Sequence, residues 1–229
     1  MMAAVLPPSV ACAERLDDLD PVTPYPQEEA AVARSAPGRR NAFHTVRLCA
    51  RQAMAELGIP AAPILPGRKG EPLWPDGAVG SITHCAGYRA AVVASTTVLA
   101  GVGIDAEPHE PLRQGVLEYL ALPAERERLA RLALTHPSTH WDRLLFSAKE
   151  AVYKLWFPLT GKWLDFDEAD VTLRPDGRFT AHLLVPGPQV AGRRVQVFSG
   201  QWLVVGGLTL TAVTLRSTGS QPPRRSVLP

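Results

Sequence analysis

The sequence has few cysteines, and they are far apart. Cys12, Cys49 and Cys85 form no Cys-x-x-Cys pair, so neither a zinc site nor a redox dithiol finds support. An odd number of cysteines without a disulfide framework is typical of proteins kept in a reducing cytosol. We therefore expect a cytoplasmic protein without disulfides.

Long hydrophobic runs and an excess of one charge are also missing. No apolar stretch approaches the roughly 18 residues that a membrane span needs. The first residues lack the basic segment and apolar run of a signal peptide. The net charge of +2 indicates neither a nucleic-acid nor a membrane partner. We expect a soluble protein whose binding surfaces are local.

The common nucleotide and hydrolase motifs are absent too. The chain has no GxxxxGK[ST] loop, no GxGxxG and no kinase catalytic-loop signature. It also has no GxSxG elbow, which leaves serine hydrolase chemistry without support. Any phosphate chemistry must therefore use another arrangement of residues.

The periodicity of apolar residues predicts an α+β fold without a βαβ rhythm. Residues 1–38 show little pattern beyond a short helix at 27–34, and a turn-rich loop spans 62–80. Helices are predicted at 41–57, as a solvated pair at 112–134, and at 141–157 closed by Pro158; strands are predicted at 79–84, 90–95, 98–107, 169–174, 178–185, 195–198, 201–205 and 208–215. We divide the chain into halves at 1–108 and 109–216 and a frayed tail at 217–229.

Two acidic elements are the first candidate site. Glu150 and Lys154 are neighbours on the helix 141–157, where an exposed ion pair is the simpler interpretation. Asp105 and Glu107 share one face of the strand 98–107, which by itself is equally typical of a solvated edge. Gly103 beside them would let a ligand approach the backbone. Together the three carboxylates could form an all-oxygen site that suits Mg²⁺.

Basic residues form the second candidate site. Arg40, His44, Arg47 and Arg51 recur along one face of the helix 41–57, with Arg39 at its start. Such a stripe could grip a polyanion, although a solvated helix face is the alternative. With His84, Lys149 and Lys154, these groups could neutralise several phosphates. The combination indicates Mg²⁺-assisted attack on a phosphorus centre.

Two linked motifs resemble the signature of a known family. Gly103-Ile104-Asp105-Ala106-Glu107-Pro108 and, downstream, Phe146-Ser147-Ala148-Lys149-Glu150-Ala151-Val152-Tyr153-Lys154 are similar to the paired motifs of 4′-phosphopantetheinyl transferases. The stretches 70–77 and 80–85 match the longer, single-chain Sfp/enterobactin-synthesis type that serves siderophore and polyketide synthesis, closest to its actinobacterial members. The resemblance runs from about Gly38 to Trp163 and continues loosely to Leu215.

The resemblance implies a fold and an activity. The fold would be an α+β pseudo-dimer with coenzyme A between two similar halves. A monomeric, Mg²⁺-dependent enzyme, with Mn²⁺ as an alternative, would move the phosphopantetheine arm of coenzyme A onto a serine of an apo acyl or peptidyl carrier protein and release 3′,5′-ADP.

The resemblance also assigns roles by position. Asp105, Glu107 and Glu150 would hold the metal, Glu150 would take the serine proton, and Lys154 would stabilise the breaking pyrophosphate. The predicted coenzyme A-binding set is Arg39, Arg40, Arg47, Lys69, Gly70, Glu71, Pro72, Thr83, His84, Asp105, Lys149 and Lys154. Relatives tend to have a lysine where this chain has Pro66, and Arg68 is the candidate replacement.

Two other functions use the same groups. A Mg²⁺-dependent phosphohydrolase acting on a nucleotide or on coenzyme A would need the same cation and phosphate contacts. A coenzyme A-binding, carrier-docking module without turnover would need only the basic residues.

Overall fold

The computed structural model describes residues 1–18 and 24–217. The helices are α1 Pro26–Val32, α2 Pro37–Glu56, α3 Val116–Leu120, α4 Pro123–Thr135 and α5 Trp141–Thr160. The strands are β1 Ala11–Arg15, β2 Ala78–Cys85, β3 Tyr88–Ser95, β4 Leu99–Pro108, β5 Ala169–Leu173, β6 Arg178–Leu183, β7 Gln189–Val190, β8 Arg193–Arg194, β9 Val197–Val205 and β10 Leu208–Arg216. All strand pairs are antiparallel, which confirms the α+β class.

The first half is a three-stranded sheet, in the order β1-β3-β2, covered by α2. The apolar stripe of α2, including Cys49, Ala50 and Ala53, packs against Ala91 and Val93 of β3. Strand β1 was not predicted, because its sequence Ala-Cys-Ala-Glu-Arg carries only a weak alternation. Helix α2 begins at Pro37, which is a favoured first helical residue and places Arg39 and Arg40 inside the helix.

The second half is a five-stranded sheet, in the order β4-β10-β9-β6-β5, with α5 across it. Strand β4 pairs along its length with β10, so that Asp105 faces Thr211. The change of sheet therefore lies between β3 and β4, and the division of the chain into halves at residue 108 stays a prediction. Each half thus consists of a helix packed on an antiparallel sheet, which is consistent with the pseudo-dimer that the resemblance implies.

Two predicted boundaries were wrong. Helix α5 continues past Pro158 to Thr160, where Gly161 closes it in the left-handed region at φ 65°. Pro158 removes one backbone donor, and the helix ends two residues later. The predicted strands 195–198 and 201–205 are one strand, β9. The ring of Phe179, from the neighbouring strand β6, covers Gly200 in the middle of β9. Residues 112–134 form the predicted helix pair, separated before Pro123.

Strand β4 lies directly against the backbone of α5. A Cβ atom on Gly103 would stand 2.0 Å from the carbonyl oxygen of Ala151, and Gly101 is covered by Leu155 and Leu159. The missing side chain at Gly103 therefore lets the backbone of α5 pack against β4. Our expectation that it lets a ligand approach was wrong. This close approach brings the carboxylates of β4 to the face of α5 that carries Glu150 and Lys154.

We predict that Gly103→Ala destabilises the protein strongly. The new methyl group would overlap helix backbone, and overpacking of this kind typically costs about 1–3 kcal/mol or more. The free energy of unfolding in urea measures the loss. Gly38→Ala is the control, since a Cβ atom there meets no atom within 4 Å. Equal stability of the two variants would show that the helix can move away at little cost.

None of the described helices combines the length and apolarity needed to cross a membrane. The described chain ends at Ser217, whose amide donates to the carbonyl of Val98 at 3.1 Å. The remainder of the predicted tail, 218–229, lies outside the described residues.

Candidate active site

The two acidic elements meet through Lys154. The Nζ atom of this residue lies 2.7 Å from Oδ1 of Asp105, which joins α5 to β4. The side chain of Lys154 is 27% exposed, whereas that of Asp105 is 5% exposed. A buried carboxylate held by a partly exposed ammonium is stable only while the ammonium or another cation stays beside it.

Asp105 is fixed on one side and open on the other. Thr83 donates its hydroxyl to Oδ1 of Asp105 at 3.2 Å and accepts the Ala106 amide at 3.1 Å. Within the described ranges the second oxygen, Oδ2, is buried without a hydrogen-bond partner. Thr83 is 2% exposed, so its hydroxyl positions Asp105 and is not presented to a phosphate, which corrects our expectation for this residue.

Glu107 is held by an arginine that the sequence analysis missed. Nη1 of Arg143 lies 2.8 Å from Oε2 of Glu107. Burial and the neighbouring charge of Asp105 raise the pKa of Glu107, while Arg143 acts in the opposite direction. Arg143 stands about two helical turns before Glu150, a spacing that puts both residues on one face of α5 and could have identified it.

Glu150 lines the cavity next to this pair. The cavity measures about 250 Å³ and is bounded by β2, the loop before it and α5, including Ser81, Glu150, Tyr153 and Lys154. Burial raises the pKa of Glu150, Lys154 opposes that rise and the charge of Asp105 adds to it. A carboxyl group with a raised pKa in a cleft suits general-base work.

The chemistry of the three carboxylates fits a hard divalent cation, although their oxygens are not gathered at one point. No three His, Cys, Asp or Glu side chains in residues 1–18 and 24–217 are gathered closely enough to hold a metal as they stand. Lys154 and Arg143 neutralise Asp105 and Glu107 instead. The partnerless Oδ2 of Asp105 and the all-carboxylate donor set nevertheless match the oxygen ligands that Mg²⁺ takes.

A second cavity, of about 200 Å³, is lined by Arg39, Arg47 and His84. Arg47 is 2% exposed; its Nε donates to the carbonyl of Ile64 at 2.6 Å, and burial lowers its pKa to about 10. Burial lowers the pKa of His84, and the positive charges of Lys154, Arg89 and Arg39 lower it further. The positive groups make this cavity a candidate anion site.

The rest of the basic stripe is neutralised by α1. Arg40 and His44 both contact Glu29, and Arg51 donates to the fully buried Glu28 at 2.8 and 3.0 Å. Glu28 also accepts the amide of Ile64. The stripe therefore holds α1 and the segment around Ile64 against α2. These contacts do not support our expectation that Arg40 faces a phosphate.

The loop before β2 forms one wall of the 250 Å³ cavity through Lys69, Gly70, Glu71 and Pro72. The carboxylate of Glu71 lies over Gly67 and accepts the amide of Lys69 at 2.9 Å, which keeps this turn closed. Pro66 lines the arginine cavity, whereas Arg68 lines a separate groove. The structure therefore does not bring Arg68 into the place of the missing lysine.

Lys149 is a structural residue. Its ammonium lies 2.9 Å from Glu125 and donates to the carbonyls of Phe166 and Ala169. Both Lys149 and Glu125 are buried, so α4 is tied to α5 by an internal ion pair. Our expectation that Lys149 contacts coenzyme A is not supported, because these partners already occupy its ammonium.

A third cavity, largely aromatic, opens on the other side of Glu150. It measures about 140 Å³ and is lined by Tyr119, Tyr153, Trp163 and Phe166 among others. The rings of Tyr153 and Trp163 are 4.9 Å apart. Because Tyr153 and Glu150 also line the 250 Å³ cavity, the two spaces share a wall.

The fold and the two linked motifs agree with the comparisons to known proteins. Residues 27–94 match the model of the 4′-phosphopantetheinyl transferase N-terminal domain, and residues 101–205 match that of the 4′-phosphopantetheinyl transferase superfamily. The chain belongs to this superfamily, and it is an enzyme of that transferase class.

Its relatives within the superfamily include both actinobacterial transferases and enterobactin synthase components. The chain is 54% identical to 4′-phosphopantetheinyl transferase Svp of Streptomyces mobaraensis over 94% of this chain and 89% of that protein. It is 51% identical to PptT of Mycobacterium tuberculosis over 94% and 98%. Enterobactin synthase component D of Salmonella typhi is 34% identical over 79% and 74%. The resemblance to the enterobactin-synthesis type and its actinobacterial members is confirmed.

Proposed function

We propose that the protein transfers the phosphopantetheine arm of coenzyme A to a serine of apo acyl or peptidyl carrier proteins, with Mg²⁺, and releases 3′,5′-ADP. The observation that carries the proposal is the Lys154–Asp105 contact, because Lys154 lines one cavity with Glu150 and holds the buried carboxylate of Asp105 beside it. This cavity shares Gly70, Ile82 and His84 with the arginine-lined cavity, so the diphosphate and the 3′-phosphate of one ligand have adjoining sites.

Each residue has a definite task in this proposal. Asp105, Glu107 and Glu150 would hold the metal, which would supply charge neutralisation at the diphosphate when bound. Glu150, with its raised pKa, accepts the proton of the incoming serine hydroxyl. Lys154 stabilises the charge that develops on the leaving phosphate. Arg39, Arg47 and His84 bind the 3′-phosphate, and the backbone of residues 69–72 borders the adenine.

The aromatic cavity is the place that we propose for the arm. Its wall is shared with the cavity of Glu150 and Lys154, so a flexible amide chain attached to the diphosphate can extend into it. The polar lining supplied by Glu150 and Asp165 gives partners for the amides of the arm.

Mass spectrometry of a panel of apo carrier proteins tests the proposal. Incubation with the enzyme, coenzyme A and Mg²⁺ should add one phosphopantetheine arm to the acceptor serine and release an equal amount of 3′,5′-ADP. Release of 3′,5′-ADP from coenzyme A without a carrier would instead identify a phosphohydrolase. Binding of coenzyme A without either product would identify a docking module.

The proposal also predicts a pH-dependent preference for the 3′-phosphate. The lowered pKa of His84 leaves its ring neutral near pH 7, and protonation on acidification adds a charge that favours the phosphate. The 3′-phosphate itself takes up a proton with a second pKa of about 6, so the wild type and a His84→Asn variant are compared at each pH. Between pH 7.5 and 5.5 the wild type should keep more of its preference for coenzyme A over dephospho-coenzyme A than His84→Asn does, as calorimetric titration measures. An equal pH dependence in the two proteins would remove His84 from the phosphate site.

A further inference from the structure

Arg143 is a charged residue of α5 to which the transferase mechanism above gives no task. Its side chain is 14% exposed, and three of its nitrogens are engaged. Nη1 donates to Glu107 Oε2 at 2.8 Å, Nε to the carbonyl of Glu110 at 3.1 Å and Nη2 to the carbonyl of Pro111 at 3.2 Å. One planar group therefore connects the end of β4, the segment after it and the first turn of α5.

We propose that Arg143 is a positioning residue that aims Glu107 at the metal and thereby sets the metal affinity. The proposal rests on the function proposed above, since it concerns the same cation. Arg143 contacts Oε2 of Glu107, and a carboxylate can bind a cation through its other oxygen while an arginine holds this one. Groups that orient metal ligands in this way typically contribute about 10–100-fold to metal affinity.

Further hydrogen bonds hold the segments around Arg143 in place. Asp142, the preceding residue, accepts the amide of Leu112 at 2.8 Å. His109 donates its own amide to the carbonyl of Gly207 at 2.8 Å, and its ring contacts Thr209 and the carbonyl of Ser138. The segment that follows Glu107 is thus fixed to both α5 and β10. Arg143 transmits this fixed position to the Glu107 carboxylate.

Lysine cannot replace arginine at this position. Three donors that diverge in one plane reach the carboxylate and two carbonyls at once, whereas an ammonium is a single point. Arg143→Lys should keep the charge beside Glu107 and lose the two carbonyl contacts. We expect this variant to bind metal with an affinity between those of the wild type and Arg143→Gln.

Titration with Mn²⁺, followed by the loss of the free-ion electron paramagnetic resonance signal, tests the proposal on the whole protein with saturating coenzyme A. Arg143→Gln should weaken Mn²⁺ binding about 10–100-fold and raise the Mg²⁺ concentration for half-maximal transfer, with a smaller change in rate at saturating metal. Arg128→Gln is the matched control, because Arg128 also pairs with a carboxylate, Asp170, and donates to a carbonyl, that of Val171.

Thermal unfolding of all variants separates positioning from general stability. If Arg143→Gln and Arg128→Gln lose similar stability and both keep the wild-type Mn²⁺ affinity, Arg143 is only structural and the proposal is wrong. Tighter Mn²⁺ binding by Arg143→Gln would also overturn it, since Arg143 would then be a competitor of the metal. In a Glu107→Gln background, Arg143→Gln should not weaken Mn²⁺ binding any further. If the wild type itself binds no Mn²⁺, the metal site of the proposed function fails.

Discussion

Replacing Glu150 with glutamine will abolish transfer and at the same time stabilise the metal-free protein. General-base catalysis contributes about 10²–10⁴-fold, and glutamine can neither accept the serine proton nor bind the metal as an anion. The amide fills nearly the same volume as the carboxyl group, so the cavity of residues 69–72, Tyr153 and Lys154 should keep its shape. Coenzyme A binding should remain measurable through Arg39, Arg47 and His84.

The stability change follows from the raised pKa of Glu150. The folded state holds the proton of this group more tightly than the unfolded chain does, so the ionised form costs stability above the folded pKa. Below the ordinary carboxyl pKa of about 4.3 both states are protonated and the cost vanishes. Glutamine carries no such cost, and the gain in melting temperature over the wild type should be largest near pH 7.5 and shrink toward pH 4.5.

Melting curves at several pH values without metal, beside a carrier-modification assay, measure both effects. The control is Glu118→Gln, which removes an exposed carboxylate of α3 in the same half of the molecule. That variant should retain transfer and show no comparable gain. Full transfer by Glu150→Gln would remove Glu150 from the mechanism, whereas a melting temperature that falls at neutral pH would contradict the environment described here.

Replacing Lys154 with methionine will also have a large effect, because it leaves Asp105 buried without its cation. Removal of one partner of a buried ion pair costs up to about 3–5 kcal/mol, and less where water reaches the site as it does at Lys154. Transfer should fall about 10²–10³-fold, as for other groups that stabilise developing negative charge.

Two comparisons test this interpretation of Lys154. Asp105→Asn in the Lys154→Met background should restore most of the lost stability but not the transfer. Added Mg²⁺ should raise the melting temperature of Lys154→Met more than that of the wild type, since the metal then supplies the charge that Asp105 lacks. Unchanged stability in Lys154→Met would mean that water reaches Asp105 there, contrary to the 5% exposure of its side chain.

The segments that carry the site were predicted well, because each has a strong local pattern. The helix with Glu150 and Lys154 and the strand with Asp105 and Glu107 were identified from periodicity, and the structure joins them at 2.7 Å. Strand β1 and the continuity of β9 were missed, since both depend on pairing with β3 and β10 more than on their own residues. The metal and coenzyme A roles of these residues remain predictions.

The partners of the charged residues could not be predicted, because they depend on where distant segments meet. Lys149 and Lys154 are both lysines on α5, but packing turns the first to Glu125 and the second to Asp105. The sequence suggested that Arg40 and Arg51 could contact a phosphate, but in the fold they pair with Glu29 and Glu28 of α1. A charged side chain interacts most strongly with the nearest group of opposite charge, and the linear sequence does not contain the distance between the two.

By itself, the sequence determined the family, the α+β class and the two motifs that bear the acidic residues, because these follow from local order along the chain. The tertiary structure alone decided which cations face which carboxylates, that Gly103 admits a helix, and that Arg143 and Thr83 hold Glu107 and Asp105. Those contacts join segments far apart in sequence, and only the packing of α5 against β4 brings them within bonding distance.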